Sequence, residues 1–333
     1  MKKSFMAKKI KKACKAVGCR VEFGPKHGAS GRIFFPDIKK GVYFVNCCFD
    51  VNPYGASLIA RNKGLTRIFL KKHKIKMPQG AYFSQNMDKY LHFTKDELYN
   101  IICEYADKLG YPVVLKGADI HRGECVYYAH NKQELLTYAH IVWKKTEHLV
   151  IEKFMPYKCY RILAFDGDVI ACYGKEPFSV TGDGKSSIKT LVALAKKNLK
   201  KLDIVTDFAK IDEKLNEFIK NSEYKWEDVL PNKFKLNMID VGNISMGGSV
   251  TDYTNCVNQD LKNYCKNLMD ITHLRLVGID MLAEDISAFP KKSYLIEINS
   301  SPSLESFSKC GRIQSDKIDT LVKKLITIMK TNV

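Results

Sequence analysis

The chain has 333 residues, of which 45% are hydrophobic and 27% charged, proportions that suit a folded protein with a sizeable buried core. Its 54 Lys and Arg against 36 Asp and Glu leave a formal charge of +18, which attracts polyanions in general but comes with no recognisable nucleic-acid module. No apolar run reaches the roughly 20 residues of a membrane helix, and Met1 to Arg20 is lysine-rich without an apolar h-region, so the expected location is the cytoplasm, with no membrane partner.

The 11 cysteines are scattered, and the closest pairs, Cys14 with Cys19 and Cys47 with Cys48, lack the repeated CxxC spacing of a zinc site. Reduced thiols, many of them buried as small apolar groups, are expected.

The elements follow in chain order. A helical pattern over 10–17 gives way to a Gly/Pro-punctuated stretch ending near Pro36, then a strand over 41–45 and a loop around 52–55. Leu58, Leu65, Ile68 and Leu70 predict one helix over 57–73, stopped by Pro78 and Gly80. A helix over 95–109 is capped by Thr94 and closed by Gly110; strands over 111–116, 125–128 and 149–154 surround a helix over 132–145. This alternation describes a small α/β subdomain. Two β-branched or aromatic runs, 160–165 and 169–173, meet at Asp166-Gly167-Asp168, a hairpin signal. A helix through Lys197, capped by Ser186 or Ser187, precedes helical patterns over 208–221, 259–274 and 315–330 and strands over 277–282 and 293–298.

The last two strands carry Gly278-Ile279-Asp280-Met281-Leu282 and Tyr294-Leu295-Ile296-Glu297-Ile298-Asn299. Paired as an antiparallel hairpin, alternation puts Glu297 and Asn299 on one face and sends Ile296 and Ile298 into the core. Asp280 on the facing strand completes a set of three oxygen-bearing side chains. Buried carboxylates without counter-charge cost several kcal/mol each, and a hard divalent cation removes that cost. So few protein oxygens suit Mg²⁺ better than Ca²⁺. Spacing alone leaves a competing reading open, in which these residues lie solvated at strand ends or pair with lysines.

The run Glu297-Ile298-Asn299-Ser300-Ser301-Pro302-Ser303, after Gly278-Ile279-Asp280, resembles the metal-binding signature of the ATP-grasp superfamily, in its cyanophycin-synthetase-like and glutathione-synthetase-like branch. Gly182-Asp183-Gly184-Lys185-Ser186-Ser187-Ile188 is similar to that branch's GDGKSxI segment, and Asn243-Ile244-Ser245-Met246-Gly247-Gly248 to its NxSxGG loop. The resemblance runs from about Ser57 to the C-terminus, with its motifs in the family's order.

The resemblance implies an α+β, ATP-grasp fold: two α+β subdomains sandwich the nucleotide, with a small N-terminal α/β region in addition. It divides the chain into an N-terminal accessory region (1–62), a central subdomain with the phosphate loop (63–155) and a C-terminal subdomain with the metal site (156–333). It implies ATP with Mg²⁺, Mn²⁺ being an alternative, and two ions, held by Asp280, Glu297 and Asn299. Lys63 and Lys116 match phosphate lysines, and Arg161 an arginine facing the transferring phosphoryl group; Lys116 and Arg161 are the implied catalytic residues. Glu152-Lys153-Phe154 matches the hinge whose main chain reads adenine. His121, Arg122 and Gly123 fall in the phosphate-covering loop, Cys159 at the ribose position and Asn243 in the NxSxGG loop. The competing readings make Lys63 and Lys116 solvated surface lysines, Arg161 a structural ion-pair partner and Glu152 a solvated strand-end acid.

Departures from the family pattern cluster around the phosphates and ribose. Ile120 and Cys125 stand where relatives have glycine, Cys159 where many have an acid, and Ser303 where glycine follows the proline. The Gly247-Gly248 loop and loop 117–125 are the implied lids. The reaction implied is that of a carboxylate–amine ligase: ATP phosphorylates a carboxylate, and an amine displaces phosphate from the acylphosphate to give an amide. Its partners are a small molecule or peptide with a carboxylate and an amine; a homodimer is compatible with this reading, and nucleic acid is not an expected partner. The alternatives are an ATP-grasp phosphotransferase or catalytically altered Mg-ATP-binding regulator, and a basic nucleic-acid-binding protein. The lysines at 8, 9, 11, 12 and 15 form either an attractant for an acidic substrate or a solvated helix face.

Overall fold

Short antiparallel strands, more than helices, set the framework. The computed structural model describes residues 3–38, 40–85, 94–121, 123–201, 207–239 and 246–331. The chain divides into two compact units, one formed by Met1–Cys172 with Tyr253–Val333 and the other by Tyr173–Asp252.

The first unit opens with the helix Phe5–Ala16, whose cap Ser4 accepts from the Ala7 amide and whose buried Met6, Ala7, Ile10, Ala13 and Cys14 lie on one face. Gly18, at φ +70°, ends it, and the Cys19 amide returns to the Cys14 carbonyl at 3.0 Å. Lys9 and Lys12 of this helix both engage Asp319 of the terminal helix Arg312–Thr331, at 2.7 and 2.5 Å. These two lysines therefore join helices instead of standing free for a substrate. Strands β1 (Arg20–Phe23), β2 (Ser30–Phe34) and β3 (Val42–Val45) form an antiparallel sheet in that order. The Gly/Pro-punctuated stretch thus holds β1 and β2, strands too short for their alternation to stand out beside the turn residues.

The helix expected over 57–73 is in fact two, Tyr54–Arg61 and Lys63–Lys71. Asn62 between them is extended (φ −109°, ψ 110°), and its side chain accepts from the Leu65 amide at 3.0 Å. Lys63 becomes the first residue of a new helix, and its amide donates to Ala118 O at 2.8 Å. Strands β4 (Gly80–Ser84), β5 (Val113–Gly117), β6 (Val126–Ala129) and β7 (His148–Lys153) pair antiparallel in the order β4-β7-β5-β6. Helices Lys95–Leu109 and Lys132–Trp143 cover this sheet through Leu98, Ile102, Ala106, Leu135 and Val142. The first has the expected caps, with Thr94 and Glu97 in a reciprocal capping box and Gly110 at φ +77°. Strands β8 (Lys158–Phe165) and β9 (Asp168–Glu176) form the expected hairpin, with Asp166 and Gly167 both at positive φ.

The second unit begins within β9. It contains the pair β10 (Ser179–Thr181) and β11 (Lys235–Asn237), and β12 (Ser249–Asp252) alongside the end of β9. Helices Ile188–Lys201 and Phe208–Asn221 close a core around Phe178, Ile188, Ile211 and Leu215. Asp183 accepts from the Lys185 and Ser186 amides, and Ser187 caps the first helix by accepting from Thr190 N. Gly247, at φ +80°, is buried, and a Cβ there would lie 2.6 Å from the Phe178 ring.

In the first unit, β13 (Leu276–Ala283) lies between β8 and β14 (Ser293–Asn299), antiparallel to both. One face of these strands buries Ile162, Ile279, Met281 and Ile298 against Leu261, Cys265 and Leu268 of helix Gln259–Thr272. Leu295, not Ile296, completes that face. The pairing slips between Asp280 and Met281, so that Leu295 faces Met281 and Ile296 is the extra residue of a bulge, left half-buried outside the core. Strict alternation misplaces Ile296 for that reason.

Asn52 ties the approach to helix Tyr54–Arg61 to these strands. Its Nδ2 donates to Leu276 O and Ser300 O, both at 2.8 Å, and its Oδ1 accepts from the amides of Arg275 and Leu276 at 2.8 and 3.0 Å. Asn52→Ala should leave several backbone groups without partners and lower stability by about 2–3 kcal/mol, measured as a shift of the urea midpoint at unchanged slope.

Candidate nucleotide and metal site

The polar face of β8, β13 and β14 carries the residues expected to hold metal. Asp280 stands level with Arg161 on β8 and with Glu297 on β14, while Gly278 faces Asn299. Asp280 is 4% exposed, and Arg161 meets both of its oxygens, through Nε to Oδ1 and through Nη2 to Oδ2 at 2.5 Å. Glu297 is more open. Its Oε1 accepts from Asn299 Nδ2 at 3.0 Å and lies 3.9 Å from Arg161 Nη2, and its Oε2 lies 3.5 Å from Lys63 Nζ. Gly278 makes room for this arrangement, since a Cβ there would meet Pro302 at 2.7 Å and the Arg161 stem at 3.3 Å.

The three expected ligands therefore share one face with Arg161 and Lys63 beside them. The donor set of two carboxylates and an amide suits a hard cation, although Arg161 and Lys63 already compensate the two carboxylates in this structure, as the ion-pair reading expects. Among the described residues no group of three or more His, Cys, Asp or Glu is poised to hold a metal. Three protein oxygens would leave most of a six-coordinate shell to phosphate and water, as suits Mg²⁺.

Lys116 and Glu152 form a second cluster. Lys116 pairs with Val150 in the β5–β7 register, diagonal to Glu152 on the same face. Lys116 Nζ binds Glu152 Oε2, and Arg67 Nη2 binds Glu152 Oε1. Glu152 is 4% exposed, which excludes the solvated strand-end reading, and Lys116, at 9%, is no surface lysine. Burial alone would raise the Glu152 pKa; the charges and hydrogen bonds of Lys116 and Arg67 outweigh it and hold the carboxyl below its usual range. The hinge amides of Lys153 and Phe154 already donate to Gln79 O (2.8 Å) and Pro112 O (3.3 Å), so neither is free in this structure to donate to a purine edge. The Phe154 ring packs edge-on against Tyr128.

Loop 117–125 joins the two clusters. Lys63 Nζ donates to Ile120 O at 2.7 Å while facing Glu297. Ile120 packs over Gly117, where a Cβ would come within 2.7 Å of it, and leans on the hydrophobic core. Gly123 adopts φ +73° and Cys125 φ +53°, the region glycine enters most readily. Cys125, expected at a glycine position, adopts a glycine-like conformation with its side chain buried. Partial withdrawal from water, then the charges of Lys63 and Arg61, push the exposed His121 below its ordinary pKa, with Glu297 and Asp119 opposing. Cys159 is half-buried on β8, two residues before Arg161 and on the same side. Arg122 and Asn243 lie outside the described residues.

Arg67 is the site residue that the pattern reading misses. Taken as part of one long helix it reads as a solvated cation. Its role depends on its meeting Glu152 and the carbonyls of Pro78 and Gly80, contacts that no local pattern signals.

No protein-family model matches the chain. It is 28% identical over 261 residues to the glutathione biosynthesis bifunctional protein GshAB of Clostridium perfringens, covering 75% of this chain and 32% of that protein. It is 24% identical over 202 residues to the cyanophycin synthetase of Synechocystis sp., covering 58% of this chain and 23% of that one. The chain thus spans about a third of the length of the first curated relatives it matches. Its fold matches the crystal structure of a bifunctional glutathione synthetase from Pasteurella multocida with a TM-score of 0.61 at 16% identity, over 98% of this chain and 44% of that chain. The fold is that of the ATP-grasp enzymes. Within it, the chain is a relative of the glutathione-synthetase-like and cyanophycin-synthetase-like proteins.

The Glu152 cluster makes stability depend on pH with a definite sign. A carboxyl with a depressed folded-state pKa contributes fully above its unfolded value, about 4.3 for Glu, and that contribution is lost as pH falls through the folded value. The unfolding free energies of the wild type and Glu152→Gln should therefore differ most near neutral pH, begin to approach each other below about pH 4.3 and meet only below the depressed folded-state value, as read from urea titrations at a series of pH values.

Proposed function

We propose that the chain is an ATP-dependent carboxylate–amine ligase that forms an amide, peptide-like bond through an acylphosphate, acting on an amino acid or peptide. The observation that carries the proposal is the line Arg161–Asp280–Glu297 across β8, β13 and β14, with Asn299 and Lys63 against Glu297. The sequence relatives, named for glutathione biosynthesis and cyanophycin synthesis, support amide formation over other uses of a nucleotide.

On this reading Asp280, Glu297 and Asn299 hold Mg²⁺, Mn²⁺ or a pair of such ions, which when bound neutralise phosphate charge. Lys63 and Lys116 bind phosphate oxygens as compact point charges. Arg161, held level with the carboxylates, faces the phosphoryl group and stabilises charge that builds up on it during transfer. The main chain of 152–154 and the Phe154 ring are assigned to the base, Cys159 to the ribose, and His121, Arg122, Gly123 and Asn243 to the nucleotide by the resemblance of their motifs. Catalysis comes from placement and charge compensation and needs no protein nucleophile. The 1–62, 63–155 and 156–333 division assigns these roles to an accessory region, a phosphate-loop subdomain and a metal subdomain. A cytoplasmic location and a homodimer belong to the same proposal. In the described residues no helix is long and apolar enough to cross a membrane.

Incubation with Mg-ATP and a pool of amino acids and peptides, followed by mass spectrometry, should reveal an amide product, with ADP and phosphate released only when both acid and amine are present. Glu297→Gln should abolish ADP formation while the circular dichroism spectrum is unchanged. Full turnover in that variant would remove Glu297 from the site. Saturable Mg-ATP binding with no amide product from any substrate would point instead to a phosphotransferase or regulator.

A further inference from the structure

We propose that Arg67 is a positioning residue of the nucleotide site: it shares the Glu152 carboxylate with Lys116, so that the Lys116 ammonium can pass from Glu152 to a phosphate oxygen. The inference rests on the reading of Lys63 and Lys116 as phosphate-binding groups.

The side chains of Arg67, Glu152 and Lys116 are 12%, 5% and 11% exposed. Each oxygen of the one carboxylate is taken by a different cation, Oε1 by Arg67 and Oε2 by Lys116. Were Lys116 the sole partner, drawing it toward phosphate would strand a buried carboxylate without compensation, which is strongly unfavourable. With Arg67 in place, Glu152 keeps a counter-ion whichever way Lys116 turns. The cluster carries one cation in excess of its carboxylate, and that excess charge is available to an anion.

Geometry gives Arg67 a second task. It lies one turn after Lys63 on the helix Lys63–Lys71, and its Nη1 donates to Pro78 O at 3.0 Å and reaches Gly80 O at 3.5 Å. Gly80 is the register partner of Glu152, and a Cβ there would stand 2.9 Å from Glu152 Cγ. The bare glycine leaves the lane through which Glu152 meets Arg67. One guanidinium thereby ties the helix that begins at Lys63 to the strand next to Lys116, and so sets the spacing of the two lysines. A lysine at 67 has the charge but not the planar fork needed to hold a carboxylate and backbone carbonyls together.

The test is calorimetric titration of Mg-ATP into the full chain as wild type, Arg67→Met, Arg67→Lys, Glu152→Gln and the double variant Arg67→Met/Glu152→Gln. Arg67→Met should weaken binding by on the order of tenfold or more, with Arg67→Lys in between. Removing the carboxylate charge in the double variant should free Lys116 and recover a large part of the loss suffered by Arg67→Met. A merely structural Arg67 would not behave this way, since the second substitution would then add to the damage. Should Arg67→Met fail to fold by circular dichroism, Arg67→Lys with and without Glu152→Gln makes the same comparison. Wild-type affinity in Arg67→Met, or a double variant no better than the single one, would overturn the inference. A wild type that does not bind Mg-ATP would instead overturn the nucleotide reading itself, and this inference with it.

Discussion

Asp280 sits on the middle strand of three, with a cation level on one side and a second carboxylate level on the other. That register, Arg161 to Asp280 to Glu297, is the constraint on which the rest of the site depends. A buried carboxylate beside a neighbouring acid is unfavourable unless compensated, and backbone pairing alone would not enforce compensation. Here the antiparallel ladders bring the guanidinium to both Asp280 oxygens, and Gly278 clears the space for its stem. The opposite faces of the same strands bury Ile162, Ile279, Met281 and Ile298, so a one-residue slip would drive Ile279 and Ile298 into the polar cleft and Asp280 into the core. Hydrophobic burial on one side thus holds the electrostatic arrangement on the other.

A bulge and a helix break then adjust this frame. The slip between Asp280 and Met281 absorbs Ile296 while keeping Glu297 opposite Asp280 and Leu295 inside. The break at Asn62 turns a basic helix face into a helix start, so that Lys63 reaches both Ile120 O and Glu297, with Arg67 one turn behind it at Glu152. Gly64 accompanies the break, because a Cβ there would collide with the Tyr82 ring at 2.0 Å and lift the helix away from β4.

How far the site was legible in the sequence follows from the kind of signal each part leaves. Period-two alternation is local, so Glu297 and Asn299 can be placed on one face from their spacing, and Asp166-Gly167 announces its hairpin. The capping box at Thr94 and Glu97 is equally local, and the helix it opens has the expected bounds. Ile296 was misplaced because a bulge depends on how the partner strand pairs, which its own strand does not record. The split at Asn62 was hidden by apolar spacing that continues in phase across the break. Arg67, Lys116 and Glu152 come from three separate segments, and their meeting is a tertiary fact with no short-range signature. Strands β1 and β2 were lost for a simpler reason: four or five residues between turn formers carry too little periodicity to be told from loop.

Loop 117–125 shows what can stand in for a missing glycine. A glycine-rich loop can approach an anion closely because it has no side chains in the way, but it is conformationally loose. In loop 117–125 the left-handed conformation is kept at Gly123 and also at Cys125, where burial of the side chain compensates for strain of roughly 1–2 kcal/mol. Ile120 closes over Gly117, and its carbonyl is held by Lys63. The loop is thereby tethered at its base, its middle and its end, and the ammonium that holds the middle is the one that faces Glu297.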